Sequence, residues 1–231
     1  MKADTLINCI MSNKVLLFAL TSVVSFIGLP LNAQHASVDL GLSVKWATCN
    51  IGADKPEDHG DYFSWGETEN KRINSWDTYK YSEGSPKALL KYCSNPACAW
   101  HELVDSISVL EPDDDVAQVK WGADWHMPTK AQIDELVEGC TWTKTTLNGV
   151  EGYRVTGKKP GYTDRSIFLP YTGKYYDGKL FNSRTHGYYW SKECGTITSE
   201  TAFTLEIYTK GHSMESQPRY ESLAVRPVTK K

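Results

Sequence analysis

The acidic side chains are the first residues in this sequence that could do chemistry. Glu67 and Glu69, together with Asp77, have the side chains from which a glycosidase carboxylate pair is built. That chemistry depends on a separation in space that sequence spacing does not give, so surface charge is the favoured interpretation. The run Asp113–Asp115 offers oxygen ligands for a cation, but it directly precedes an apolar stretch and is more typical of a helix cap.

Histidine and serine side chains give no recognisable metal-binding or catalytic motif. The histidines lack a ligand spacing such as His-x-x-x-His. The chain has no Gly-x-Ser-x-Gly elbow. A Ser-His-Asp triad assembled from residues distant in sequence is an alternative that the sequence leaves open. The sequence therefore predicts no catalytic residue, no metal ion and no cofactor. The histidines weighed are His59, His101, His126, His186 and His212.

The N-terminal residues have the pattern of an export signal. Met11, the expected true start, precedes an apolar run over Val15–Leu29 and the cleavage-like Leu31-Asn32-Ala33. We therefore expect residues 1–33 to be a signal peptide and residues 34–231 to form one domain that is secreted, periplasmic or on the cell surface. No later segment has the length and apolarity of a membrane span. A net charge of -3 gives no reason to expect a nucleic acid partner.

Five cysteines follow the predicted cleavage site. Export would place them in an oxidising compartment. Cys93 and Cys98 flank the turn-like Ser-Asn-Pro-Ala and are the predicted disulfide, and the odd number leaves at least one thiol unpaired within the chain. The equally weighted alternative is that all five are small buried apolar residues.

The stretch WGADWHMPTKAQIDELVEGC predicts a sharply started helix. Thr129 stands at its N-cap position, and Gln132 three residues later completes a capping box. We expect Trp121 and Trp125 to pack under this helix as structural residues. A shorter helix is expected over VAQVKW, capped by the preceding aspartates. The apolar positions at helical spacing are Ile133, Leu136, Val137 and Cys140.

Most of the remaining chain carries strand patterns. Asn148-Gly149 and Asp177-Gly178 are preferred two-residue hairpin turns. Apolar strands near Val38–Trp46 and Leu223–Val228 are expected to pair, because an unpaired edge strand is a liability. Residues 70–108 look irregular, with one short helix expected near Pro86–Tyr92. The sequence thus predicts one α+β domain, mostly antiparallel, with one or two short helices.

Several segments together resemble the Fibrobacter succinogenes major paralogous domain family, which is abundant in exported proteins of gut Bacteroidetes. The resemblance implies a C-type-lectin-like mixed fold, distantly similar to formylglycine-generating-enzyme-like domains, with adjacent N- and C-terminal strands. The segments cover almost the whole mature chain in order and are VDLGLSVKWATCNIGA, GDYFSWGETE, WGADWHMPTKAQIDEL, GYYWS and VRPV.

The chain departs from both better-known branches of that fold. The calcium-dependent sugar site of C-type lectins needs an acidic-Pro-Asn or Gln-Pro-Asp loop plus Trp-Asn-Asp. Here Glu111 begins Glu-Pro-Asp-Asp before the main helix, Gln217 begins Gln-Pro-Arg, and Trp-Asn-Asp does not occur. Formylglycine-generating chemistry needs a cysteine pair near the C-terminus, where only Cys194 occurs. Neither activity is therefore implied.

The predicted function is that of an exported, non-enzymatic binding or adhesion module whose ligand is a glycan or a surface protein. An enzyme acting on polysaccharide and a structural subunit of a cell-surface assembly are the alternatives. The lectin-like fold builds its recognition surface from later loops and strands, here 173–222. Tyrosine and arginine often anchor contacts, with shielding of the sheet as the competing interpretation. The candidate ligand-binding residues are Tyr175, Tyr176, Tyr208, Arg219 and Tyr220.

Overall fold

The structure is a computed structural model that describes residues 35–195 and 198–231. The predicted signal peptide lies outside the described residues. Contacts group His35–Lys231 into one compact unit. Neither helix within these ranges has the length and apolarity needed to cross a bilayer.

Strands dominate the described residues, and every pairing between them is antiparallel. Two α-helices accompany them, α1 (Val116–Trp121) and α2 (Lys130–Gly139). The predicted α+β class, with mostly antiparallel strands and two short helices, is confirmed. The strands of the described residues are β1 (Ser37–Val38), β2 (Lys45–Ala47), β3 (Phe63–Ser64), β4 (Trp125–His126), β5 (Cys140–Leu147), β6 (Val150–Gly157), β7 (Ser166–Pro170), β8 (Lys174–Tyr176), β9 (Lys179–Phe181), β10 (His186–Cys194), β11 (Thr201–Tyr208), β12 (Gly211–Pro218), β13 (Ser222–Leu223) and β14 (Val228–Thr229).

Within the described residues the strands form four sheets, and the two ends of the compact unit meet in one of them. The sheet orders are β1-β2-β14-β4, β3-β13-β8-β9, β5-β6-β7 and β10-β11-β12. Val228 of β14 pairs with Trp46 of β2 and with His126 of β4, so the expected pairing of the end strands is present. Both end strands are shorter than predicted. Gly41 interrupts the first with a φ of 81°, and Pro227, which has no N–H, interrupts the second.

Helix α2 begins where its sequence predicts. The Thr129 hydroxyl accepts a hydrogen bond from the Gln132 N–H at 3.1 Å. The Gln132 side-chain oxygen accepts one from the Thr129 N–H at 2.9 Å, which completes the capping box. Ile133 and Leu136 then point into a core shared with β2 and with β5 to β7.

Helix α1 starts at the aspartate run. The Asp115 carboxylate accepts hydrogen bonds from the N–H groups of Ala117 at 3.0 Å and Gln118 at 3.4 Å. It also accepts one from the Met127 N–H at 3.0 Å, which ties the helix start to the segment after β4. The helix-cap interpretation of this acidic run is confirmed for Asp115.

Trp121 and Trp125, the two tryptophans of the stretch WGADWHMPTKAQIDELVEGC, pack against each other at the junction of α1 and β4. Trp125 lies in β4 and is 7% exposed, and its ring meets the ring of Trp121 edge-to-face at 5.1 Å. His35 stacks on Trp121 at 3.7 Å. The apolar face of α2, expected to cover these tryptophans, contributes Ile133 and Leu136 to a core cluster that includes neither of them. The tryptophans keep a structural role, but they close the corner between α1 and β4.

The segment 70–108 is largely irregular, as predicted. Its regular elements are single turns of 3-10 helix at Trp76–Thr78 and Trp100–Glu102. The prediction of a helix near Pro86–Tyr92 is wrong, because Leu89 in that segment forms isolated β-bridges. The segment covers an aromatic-rich second core that includes Trp65, Trp190, Tyr79, Tyr81 and Tyr92.

Candidate ligand-binding site

The hairpin of β8 and β9 gathers three of the five predicted ligand residues. Tyr175 and Tyr176 lie in β8, and the ring of Tyr220 lies 6.0 Å from that of Tyr176. The turn Asp177-Gly178 has φ values of 48° and 68°, the left-handed geometry of a two-residue hairpin. The Asp177 N–H donates to the carbonyl of Asn74 at 3.2 Å. The turn and this anchor fix where the tyrosines are presented.

Four aromatic rings form a continuous row across this hairpin and its neighbours, here named the aromatic row. Ring centroids lie 6.0 Å apart for Phe181 and Tyr176, 6.0 Å for Tyr176 and Tyr220, and 4.9 Å for Tyr220 and Trp76. Tyr176 is 44% exposed and Phe181 is 40% exposed, while the other two are half-buried. Adjacent rings support one another, so the row offers a preformed apolar surface.

A recess of about 270 Å³, here named the side recess, adjoins the aromatic row. The Lys174 ammonium donates to the Glu221 carboxylate at 2.7 Å and to the Gln217 side-chain oxygen at 2.8 Å. Burial raises the pKa of Glu221, and the ion pair with Lys174 opposes that rise. The charged groups are therefore already paired. The side recess is lined by Lys174, Tyr176, Phe181, Asn182 and Glu221.

The other face of β8 borders a recess of about 430 Å³, here named the hairpin recess. Successive strand residues point to opposite faces, so Tyr175 lies on this side while Tyr176 belongs to the aromatic row. The rings of Tyr175 and Tyr62 meet edge-to-face at 4.9 Å. Polar lining residues include Asp61, Asn70, Arg72 and Ser222.

Tyr208 lies at the end of β11, on a different sheet from the hairpin. Its ring stacks at 6.0 Å on that of His186, which stacks at 5.9 Å on Tyr188. In the part of the chain that the structure describes, no ring contact links Tyr208 to the aromatic row. Its predicted ligand role therefore stays a prediction, separate from the hairpin.

The prediction that Arg219 contacts a ligand is wrong, because its side chain is fully buried. Its guanidinium donates to the Tyr79 hydroxyl at 2.9 Å and to the carbonyl of Tyr92 at 3.1 Å. Two further donors reach the carbonyls of Ser199 at 2.9 Å and Lys91 at 3.0 Å. The arginine joins the long irregular segment to the C-terminal strands, so its role is structural.

The predicted disulfide between Cys93 and Cys98 is corrected, because the structure holds both as free thiols. The Cys93 thiol donates to the Asn95 carbonyl at 3.2 Å, and the Cys98 thiol donates to the Glu200 carboxylate at 3.4 Å. The two sulfur atoms thus point to different acceptors. Burial, and then the Glu200 carboxylate, raise the pKa of Cys98 to about 11, so this thiol is protonated at neutral pH.

Glu67 and Glu69, two of the three carboxylates weighed for glycoside hydrolysis, have different surroundings and are each paired with a lysine. The Glu67 side chain is 5% exposed and bonds to the Lys71 ammonium at 2.6 Å. The Glu69 side chain is 82% exposed and pairs with Lys120 at 3.5 Å. Within residues 35–195 and 198–231, no group of three or more His, Cys, Asp or Glu side chains could hold a metal ion.

Three aromatic residues of the candidate site were not among the residues predicted from sequence. Phe181 lies directly opposite Lys174 in the hairpin register, so the Asp177-Gly178 turn was the signal that could have located it. Trp76 and Tyr62 carried no comparable signal, because only tertiary structure brings them to the hairpin.

No protein-family model, no curated protein and no solved structure matches the chain.

Proposed function

We propose that this chain is an exported, C-type-lectin-like binding module of the major paralogous domain type, and that the aromatic row binds a glycan. The continuous row of rings is the observation that carries the proposal. The face of an aromatic ring carries negative partial charge. The apolar face of a sugar carries C–H groups of positive partial charge, so the two surfaces are complementary.

The number of rings in the aromatic row favours a chain of sugars over a single one. Three successive ring contacts, at 4.9 to 6.0 Å, join four rings, so the row offers more than one ring to a ligand. The side recess adds the amide of Asn182 and the hydroxyl of Tyr176 beside the rings. An apolar surface with a few placed polar groups is typical of small-ligand recognition.

A glycan fits this surface better than a protein partner that adds a strand. The edge strand on the hairpin side of the sheet is β9, which has three residues and begins with Lys179. Short edges and lysine both discourage strand addition. Glycoside hydrolysis is less favoured, because the carboxylate that lines the side recess, Glu221, is paired with Lys174.

A glycan array screened with the full chain, followed by calorimetry with the polysaccharides retained, tests the proposal. The double variant Tyr176→Ala/Tyr220→Ala should weaken binding at least about tenfold, as loss of central aromatic contacts generally does. Trp100→Ala removes a ring of similar exposure outside the row, so it is the matched control and should bind normally. Full binding by the double variant, or loss in the control, would contradict the site. Release of new reducing ends would point to an enzyme instead.

A further inference from the structure

The hairpin recess differs from the side recess in the state of its polar groups. In the described ranges, no side-chain hydrogen bond or ion pair involves Asp61, Asn70 or Arg72, which all line the hairpin recess. In the side recess, by contrast, Lys174 and Glu221 are bonded to each other. The hairpin recess therefore offers a carboxylate, an amide and a guanidinium that are available to a ligand.

One wall of the hairpin recess is rigid and aromatic. The Tyr62 hydroxyl donates to the carbonyl of Thr172 at 2.5 Å and lies 3.2 Å from the His59 ring nitrogen Nδ1. These contacts hold the Tyr62 ring, which in turn supports Tyr175 at 4.9 Å. A fixed aromatic wall suits an apolar ligand face.

A buried amide holds Ser222 in the wall of the recess. Ser222 lines the recess and accepts a hydrogen bond from the Asn74 amide at 2.5 Å. Asn74 is only 1% exposed, so it lies behind the lining and acts on the recess through Ser222. Its amide fixes the Ser222 hydroxyl, which faces the recess.

The charges of the recess sum to zero. Asp61 and Arg72 have opposite charges, and the third charged lining residue, Lys71, is paired with Glu67 at 2.6 Å. The recess therefore has no net charge that would favour an anion or a cation. A polyol satisfies both Asp61 and Arg72, because hydroxyl groups donate to carboxylates and accept from guanidinium.

We propose that the hairpin recess is a second subsite that binds one neutral sugar ring through its hydroxyl groups. This inference rests on the proposed function as a glycan-binding protein. The volume of about 430 Å³ lies at the lower end of the range of about 300–1,000 Å³ that ligand pockets occupy. Because Tyr175 and Tyr176 face opposite sides of one strand, this subsite and the aromatic row are separate surfaces.

Saturation-transfer NMR and titration of the full chain with glucose, galactose, mannose and xylose test the subsite. Glucuronic acid and glucosamine serve as the charged probes. At least one neutral sugar should bind more tightly than either charged probe. Asp61→Asn and Arg72→Gln should each lower its affinity about tenfold or more, as expected for lost hydrogen bonds to charged groups. The matched control variants, Asp164→Asn and Arg165→Gln, alter another exposed loop and should bind normally.

The aromatic-row variant Tyr176→Ala/Tyr220→Ala separates this inference from the proposed function. It should lose polysaccharide binding and keep monosaccharide binding. Tighter binding of glucuronic acid or glucosamine, no binding of any neutral sugar, or unchanged affinity in Asp61→Asn and Arg72→Gln would each overturn the subsite. None of those results would affect polysaccharide binding to the aromatic row.

Discussion

Two aromatic clusters of this protein have similar composition and opposite surroundings. The aromatic row lies at the surface. The second cluster, here named the arginine cluster, consists of Trp65, Tyr79 and Tyr92 around Arg219. The guanidinium lies 4.9 Å, 5.3 Å and 5.9 Å from the centres of those three rings, and Arg219 is fully buried.

The difference lies in what each cluster can still bind. In the arginine cluster the rings and four hydrogen bonds replace water around a buried charge. In the aromatic row Tyr176 and Phe181 retain exposed surface. Tyrosine and arginine near each other in sequence therefore do not define a binding surface, and fractional exposure decides between stability and recognition.

The largest expected effect is at the centre of the arginine cluster. Arg219→Ala would remove four buried hydrogen bonds and open a cavity, so the free energy of unfolding should fall by on the order of 4 kcal/mol. Urea denaturation followed by tryptophan fluorescence measures it. A loss of stability below about 1 kcal/mol would show that Arg219 does not stabilise the arginine cluster.

A smaller effect is expected at Asp114, which is bonded to the same cluster. Its buried carboxylate accepts hydrogen bonds from the Tyr92 hydroxyl at 2.6 Å, Lys91 at 2.7 Å and Lys80 at 3.1 Å. Asp114→Asn should cost about 2 kcal/mol at neutral pH, in the range for hydrogen bonds to a charged group.

The pH dependence sharpens the Asp114 prediction. Burial raises the pKa of this carboxyl, but the hydrogen bonds from Lys91, Tyr92 and Lys80 outweigh it and hold the pKa below its ordinary value of 3.8. The stabilisation is therefore complete above the unfolded-state pKa and is lost as pH falls through the lower folded-state value. Stability curves of the parent and Asp114→Asn should converge in acid, and parallel curves would contradict the assignment.

Thr129→Ala provides a reference outside both clusters. Removal of an N-cap hydroxyl generally costs about 1 kcal/mol, and the Thr129 hydroxyl bonds to the Gln132 N–H at 3.1 Å. Thermal unfolding should show a correspondingly small decrease, with Thr129→Ser retaining most of the stability. Equal stability of the alanine variant and the parent would show that the capping box does not fix the start of α2.

Local features were predictable from sequence because their physics is local. The Thr129–Gln132 capping box and the Asp177-Gly178 turn depend on neighbours within three residues, and both are present. The burial of Arg219 was not predictable, since three of its four acceptors lie more than 120 residues away. Only part of the aromatic row could be located from sequence. Tyr176 and Phe181 lie on the hairpin that the turn predicts, whereas the contact of Trp76 with Tyr220 depends on the tertiary fold.

The smallest expected effect on stability is in the aromatic row, where one chemical change can be compared in both clusters. Tyr176 is 44% exposed and Tyr79 is 2% exposed. Tyr176→Ala should change the free energy of unfolding by no more than about 0.5 kcal/mol, as surface substitutions usually do. Tyr79→Ala should cost several times more, because it leaves a cavity and removes an acceptor of Arg219. At temperatures where both variants are folded, Tyr176→Ala should bind polysaccharide more weakly than Tyr79→Ala, although it is the more stable of the two. A Tyr176→Ala variant that is strongly destabilised would place the ring in the core, and the distinction between the two clusters would then fail.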